Sequence, residues 1–294
     1  MKHRADGPAM SGIGAFASSA EIEIIPVRGI DKELSAVPAG TTITVTCSAK
    51  FGVERTLAFA AVAVESGLHV IPHVAARQVL NEAHLRELVE RLGALGVRDL
   101  FVIGGDAQEP VGNYASAFEL LETLASFDHG LETIGVACYP EGHPKVSDVQ
   151  LLEALRLKQS HASYMVNQLC FDPEALARWL GEVRALGIEL PLRVGVAGPV
   201  APRKLIDLSL KIGVGSSVRY LAKQHGLIGS VLRGGAYRPE ELLVRLGTLL
   251  SSVEFGVEGL HLFSFNQVAA AVEWRHKMAA SAPNWPAPPT RESA

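Results

Sequence analysis

The stretch Thr133-Ile134-Gly135-Val136-Ala137-Cys138-Tyr139-Pro140-Glu141-Gly142-His143-Pro144 joins a buried strand to a chemically loaded turn. Its first half is an apolar run of strand length. Two prolines and a glycine then end the run. Among them stand a phenol, a carboxylate and an imidazole. Functional groups gathered at the C-terminal end of a strand are how barrel enzymes present their chemistry.

The same unit recurs in both directions along the chain. Further candidate strands are Glu21–Pro26, Ile43–Cys47, His69–Val74, Leu100–Gly105, Tyr164–Phe171, Pro191–Ala197 and Gly259–Phe265. Helical signals lie between them. Asn81 caps a helix with the apolar stripe Leu85, Leu88, Val89, Leu92 and Leu95, and Gly96 ends it. Asp172-Pro173-Glu174 supplies an N-cap, a first-turn proline and an early acid, and Gly187 closes that helix. Arg238-Pro239-Glu240-Glu241 opens another, expected to reach about Glu254. Strands alternating with helices imply a parallel sheet. Eight such units in 294 residues imply an α/β fold, a (β/α)8 TIM barrel. A doubly wound open sheet would want a glycine fingerprint after an early strand, and none is present. Residues 198–258 are too many for one unit. Candidate helices at Arg203–Ile212, Ser216–His225 and near 239 predict extra helices between strands seven and eight. The expected organisation is a flexible segment 1–19, a single barrel domain 20–281 and a proline-rich disordered tail 282–294.

Composition narrows the function. Hydrophobic residues make up 48% of the chain and charged residues 20%, enough for a large core. Lys and Arg total 27 against 31 Asp and Glu, a net charge of -4, which argues against nucleic acid as a partner. Cys47, Cys138 and Cys170 are odd in number, widely spaced and set in apolar runs, so they read as buried thiols in a reducing, cytoplasmic setting. The apolar runs are too short and too interrupted for a membrane span, and Gly12–Ala17 is too brief for a signal sequence. Neither a membrane partner nor a metal is expected, since no His, Cys and Asp cluster has ligand spacing. A homo-oligomer is left open.

At the strand ends the candidates are Glu23, Thr46, His73, Asp106 after strand four, Tyr139, Glu141 and His143 after strand five, Gln168 on strand six, Gly198, and Phe265-Asn266 after strand eight. Phe265 counts among the substrate-binding candidates. Glu23 lies in Ile22-Glu23-Ile24-Ile25, where an unpaired charge is ill placed. Its pKa should therefore rise, making it a general acid, unless an inward Arg or Lys pairs with it. Glu21 shares its parity. Gly104-Gly105 would let backbone approach a flat ligand, with Asp106 hydrogen-bonding it or simply capping the next helix. His73 suits a ligand contact or a polar niche. Gln168 needs partners that the edge of a heteroaromatic ligand would supply. Gly234-Gly235 after Arg233 reads as a turn before a phosphate loop.

Taken together, Glu23-Ile24-Ile25-Pro26, Val45-Thr46, Pro72-His73, Gly105-Asp106, Tyr139-Pro140-Glu141-Gly142-His143-Pro144 and Asn167-Gln168-Leu169-Cys170-Phe171-Asp172 resemble, in order, the methylenetetrahydrofolate reductases over roughly residues 20–280. The resemblance implies a (β/α)8 barrel that usually carries FAD. In that family NADH or NADPH reduces the flavin, which reduces 5,10-methylenetetrahydrofolate to 5-methyltetrahydrofolate. By position, Glu23 resembles the acid that opens the imidazolidine ring, Asp106 the carboxylate facing the pterin and flavin, and Gln168 the pterin-binding residue. Thr46, His73, Gly105, Tyr139 and His143 resemble cofactor contacts. The proton chemistry then wants Glu23 neutral and Asp106 ionised, the latter stabilising the iminium.

The departures cluster where a flavin diphosphate and ribityl chain would lie. Ile103-Gly104-Gly105-Asp106 stands for the family's Leu-Arg-Gly-Asp. Lys158-Gln159-Ser160-His161-Ala162-Ser163 is one residue shorter than Lys-x-Asp-Ala-Gly-Ala-Asp. Cys47-Ser48-Ala49-Lys50 lacks the usual Tyr-Gly, and Val194-Gly195-Val196-Ala197-Gly198-Pro199 lacks Pro-Gly-Ile. The pattern implies a divergent member in which NADH or NADPH gives hydride directly to the folate and FAD is dispensable, with Arg156 and Lys158 as phosphate-holding candidates. Two other classes stay open. One is a non-catalytic folate- or flavin-binding barrel. The other is a lyase or aldolase using Lys50 as a Schiff base.

Overall fold

The computed structural model describes residues 14–212 and 237–280. Eight parallel strands close into a barrel in chain order, β1 through β8 and back to β1. They are β1 (Glu21–Ile24), β2 (Thr42–Val45), β3 (His69–Ala75), β4 (Asp99–Ile103), β5 (Thr133–Cys138), β6 (Tyr164–Asn167), β7 (Leu192–Ala197) and β8 (Val257–Phe263). All eight lie where the apolar runs predict them. β6 stops four residues before the expected Phe171, so Gln168 is just past the strand and not on it.

Helices α1 (Gly52–Glu65), α2 (Glu82–Ala94), α3 (Ala117–Ala125), α4 (Asp148–Lys158), α5 (Pro173–Ala185) and α6 (Pro202–Ile212) follow β2 to β7. The predicted caps are in place. The Asn81 side chain accepts from the His84 amide, and that of Asp172 accepts from Glu174 and Ala175, with Pro173 at the first turn. Ser147 and Gln150 add a reciprocal capping box to α4. The extra helices before β8 include α6, α7 (Pro239–Arg245) and α8 (Gly247–Ser251). The helix expected to run to Glu254 is thus broken at Leu246 and Gly247, and ends in a 3-10 turn at Val253–Phe255. Glycine is a poor helix former, and it sits at the break. After β8 comes α9 (Val268–Ala280). The candidate helix Ser216–His225, the Gly234-Gly235 turn and the tail 282–294 lie outside the described residues. Residues 14–18 are helical with Ala17 fully buried, so the end of the stretch expected to be flexible is part of the fold.

Side chains alternate across each strand. One set packs outward under the helices, joining Val74, Leu100 and Val102 to Leu85, Leu88 and Leu92 of α2 and Leu120, Leu121 and Leu124 of α3. Each fully buried leucine there contributes roughly 1.5–3 kcal/mol of transfer free energy. The other set fills the barrel. Its apolar part is small: Ile71, Phe101, Tyr164 and Val166. Gly135 makes room for it, since a Cβ there would lie 2.4 Å from the Tyr164 ring and 2.6 Å from that of Phe101. Beside it the interior holds Phe263 and a group of charged and polar side chains.

Candidate active site

Glu21 and Glu23 alternate with Ile22 and Ile24 on β1, so both carboxylates face inward while the isoleucines face the helices. The register sets Glu21 beside His261 of β8 and Glu23 beside Thr44 of β2 and Phe263 of β8. His261 is the group that sequence reading missed. Its Nε2 lies 3.3 Å from Glu23 Oε2, and its Nδ1 lies 3.5 Å from Glu21 Oε2, close but without hydrogen-bond alignment. Arg193, near the start of β7, lies at the N-terminal end of the barrel. It bonds Glu21 and, at 2.9 Å, Glu258, and its guanidinium lies 3.4 Å from the Tyr164 ring centroid. Of these charges, Glu258 is the exposed one.

The electrostatics correct the expectation for Glu23. Burial alone would push its carboxyl up. The hydrogen bond and charge of His261, with a smaller contribution from His73, outweigh that and hold Glu23 below its ordinary value. Glu21 is lowered in the same way, burial being offset by His261 and Arg193. Burial opposes a charge on His261, yet the two carboxylates raise it from 6.5 to about 9. The proton that sequence logic assigned to Glu23 therefore rests on His261. Among the described residues no Arg or Lys pairs directly with Glu23; the partner is an imidazole from the far end of the chain. Near neutral pH, Glu21, Glu23, Arg193 and His261 sum to zero charge.

Above this array the strand ends supply ligand-facing groups. His73 is buried beside Phe101, ring centroids 4.7 Å apart. Burial drives its pKa down to about 4, so it is neutral, and its Nε2 has no partner. Thr44 Oγ1 and Thr46 Oγ1 are likewise buried and unpartnered. Orphaned polar atoms of this kind on β2 and β3 suit the edge of a flat heteroaromatic ligand. Gly105 takes φ +92, and a Cβ on it would come within 2.9 Å of Ala75, so glycine is required after β4. Asp106 is exposed beside it, and its charge acts on Tyr139 and His143. Tyr139 and His143 meet edge-on at 5.3 Å, and burial raises the Tyr139 phenol to about 12. Gln168 is half-buried; its Oε1 accepts from the Leu169 amide at 2.9 Å, and its own amide bonds Cys138 O.

The mouth between β8 and β1 is tied by Asn266. Its Oδ1 accepts from the Ile25 amide at 2.8 Å and its Nδ2 donates to Ile25 O at 3.0 Å. Ser264 Oγ donates to the Glu23 carbonyl. Phe265 and Asn266 both hold positive φ, 49° and 59°. Asparagine tolerates that region and phenylalanine resists it, so backbone strain is held next to the acid.

Other candidates are not brought to the mouth. Lys158 is buried, its Nζ bonded to Ala137 O at 2.9 Å, and burial lowers its pKa to about 8. Arg156 is exposed and paired with Glu153 at 2.8 Å along α4. Lys158 is thus turned into the barrel wall, and Arg156 lies on the surface. Lys50 is exposed with its ammonium 5.3 Å from the Phe51 ring, which lacks the enclosure a Schiff-base lysine needs. The three cysteines are buried and free. Among the described residues no group of His, Cys, Asp and Glu could hold a metal, and no helix is long and apolar enough to cross a membrane.

A sequence model of the family described as "Methylenetetrahydrofolate reductase" matches residues 27–206, more than half of the chain. Methylenetetrahydrofolate reductase 1 of Schizosaccharomyces pombe is 28% identical over 116 residues, 37% of this chain and 19% of that protein. Methylenetetrahydrofolate reductase 2 of Saccharomyces cerevisiae is 30% identical over 112 residues, 34% of this chain and 19% of that one. A probable methylenetetrahydrofolate reductase (NADPH) of Caenorhabditis elegans is 26% identical over 124 residues, 40% and 18% respectively. The matched stretch thus spans about a fifth of the length of these relatives. Among solved structures, a tryptophan synthase from M. tuberculosis superimposes with a TM-score of 0.47 at 12% identity, over 94% of this chain and 99% of that one, a likeness too weak to decide anything further.

Proposed function

Since this chain belongs to the methylenetetrahydrofolate reductase family, we propose that it reduces 5,10-methylenetetrahydrofolate to 5-methyltetrahydrofolate with NADH or NADPH as reductant. The observation that carries this reading is Glu23, a mostly buried carboxylate near the C-terminal end of β1 with a charged imidazole behind it. Opening the imidazolidine ring requires a proton at N10. Glu23 is the group at the mouth that would deliver it. Asp106 would stabilise the resulting 5-iminium cation as a nearby anion. Gln168 would bind the pterin edge, Phe265 its apolar face, and the unpartnered Thr46 and His73 the edge of the reductant ring, with Tyr139 and His143 walling the opposite side. The nicotinamide supplies the hydride that completes the methyl group.

The side-chain arrangement favours a reductant that comes and goes over a resident FAD. The groups that would meet a ring edge are present and unpartnered. Of those suggested for the diphosphate, Lys158 is buried and bonded to Ala137 O, and Arg156 shares an exposed pair with Glu153. A tightly held dinucleotide wants charge on its phosphates.

The test is turnover by purified protein, followed by NAD(P)H oxidation and methyl-folate formation, in wild type and in Glu23→Gln. The variant should lose about 100-fold or more of turnover, within the range for loss of a general acid, while NAD(P)H still binds. Wild-type turnover by Glu23→Gln would refute the acid role. A visible flavin band in the purified protein would refute the flavin-free form of the proposal.

A further inference from the structure

We infer that Arg77 is a positioning residue for Asp106: it clasps the segment that follows β4 at both ends and so fixes where the Asp106 carboxylate stands. The inference rests on the reading of Asp106 as the anion beside the iminium. Residues 104–116, between β4 and α3, carry neither helix nor strand. A connection of that length is ordinarily loose, because it has few partners of its own. A carboxylate on such a segment would wander, and a charge that wanders stabilises a cation poorly.

Arg77 supplies the order. It lies in the 3-10 turn Ala76–Gln78 just past β3, and β3 pairs with β4, so the turn sits beside the start of the segment. Before Asp106, the Arg77 amide donates to Gly104 O at 3.1 Å. Directly after Asp106, Arg77 Nη1 donates to Ala107 O at 3.1 Å and to Gln108 O at 2.9 Å. In the middle, Arg77 O accepts from the Val111 amide at 2.9 Å. At the far end, Nε donates to Ala115 O at 3.0 Å, next to the Ser116 cap of α3. One residue thus brackets Asp106 on both sides. Gly105, at φ +92 and pressed against Ala75, leaves the chain no wider path between the brackets. The Asp106 side chain is exposed, and its charge acts on Tyr139 and His143 in the turn after β5.

The task suits arginine and not lysine. A guanidinium presents several N–H groups in fixed directions in one plane. Here they reach carbonyls at both ends of the segment. The ammonium of lysine is a compact donor on a flexible stem and cannot span those carbonyls together.

Arg77 acts through Asp106, and the test separates that from a general loss of structure. Turnover is measured in wild type, Arg77→Lys, Asp106→Asn and the double variant, with amide hydrogen exchange followed over residues 104–116. Arg77→Lys should lose about tenfold of kcat, keep its KM for NAD(P)H within about twofold, and exchange faster in that segment. Asp106→Asn should lose kcat too. The double variant should be no slower than Asp106→Asn alone, since a residue that acts through Asp106 then has nothing left to position. Losses that multiply in the double variant overturn the inference, as does wild-type kcat in Arg77→Lys, and both leave the Asp106 reading standing. Full turnover by Asp106→Asn overturns that reading, and the positioning role with it. If Arg77→Lys does not fold by circular dichroism, exchange in the wild type decides. A Val111 amide at least about tenfold slower than an unprotected one supports the clasp, and one that exchanges at the unprotected rate overturns it.

Discussion

Raising the pH from 6.5 to 8 should remove stability from the folded chain chiefly through His261, against a smaller opposing gain from His73. Its pKa goes from an ordinary 6.5 to about 9 in the barrel. A group whose folded pKa is raised contributes in full below its unfolded value, and the contribution is lost as pH climbs through the folded one. Each pH unit in that window removes about 1.4 kcal/mol. Over the 1.5 units to pH 8 the loss is about 2 kcal/mol. The window stops there for a structural reason. Above pH 8 Lys158, whose folded pKa is lowered from 10.5 to about 8, begins to lose its proton only in the folded state, which opposes the fall. Higher still, the buried thiols of Cys47, Cys138 and Cys170, all raised, ionise only on unfolding and pull stability down again. Urea unfolding at pH 6.5, 7.0, 7.5 and 8.0 measures the slope. Wild type should lose about 2 kcal/mol relative to His261→Gln over that range, the variant itself gaining slightly as the lowered pKa values of His73 and Lys158 favour the folded state. Parallel slopes in the two proteins would refute the charged-imidazole array whatever the protein catalyses.

Three further outcomes follow from the geometry. Gly135→Ala drives a methyl into the Tyr164 and Phe101 rings and should lower stability by about 1–3 kcal/mol; an unchanged urea midpoint would mean the barrel interior is looser than described. Asn266→Ala removes both bonds to Ile25 and leaves a positive φ on alanine, so thermal melting should show a loss of about 1–3 kcal/mol. Lys158→Met should leave the KM for NAD(P)H within about twofold and unfold no more easily at pH 7, since the lysine is a buried cation with one carbonyl partner; a rise of about tenfold, 1.4 kcal/mol, would show a phosphate contact.

The barrel was legible because each strand is a short apolar run and each helix carries its own caps, signals that are local and need no partner. Asn81 and Asp172 cap where their residue types say they should. The site was only half legible. Glu23 stands out as a carboxylate among isoleucines, but its protonation depends on His261, 238 positions later, and one sequence gives no register between β1 and β8. The alternation Glu21, Glu23 on one strand and His261, Phe263 on the other was the available signal, and it needs the closed barrel to bring the two together. The settings of Lys158 and Arg156 were illegible for a related reason. Position along α4 says nothing about which way a long side chain turns, and one turns under β5 while the other pairs with Glu153. Asn167 was passed over as well. It is fully buried and joins β6 to β7 by accepting from the Gly195 amide at 2.9 Å.

Arg193, at the N-terminal end of the barrel, has a consequence for traffic. Its guanidinium lies across Tyr164 and is clasped by Glu21 and Glu258, which fills that end of the barrel with a paired charge. On the proposed function, substrate, reductant and product would then share the strand-end mouth, and each departure would clear the way for the next arrival.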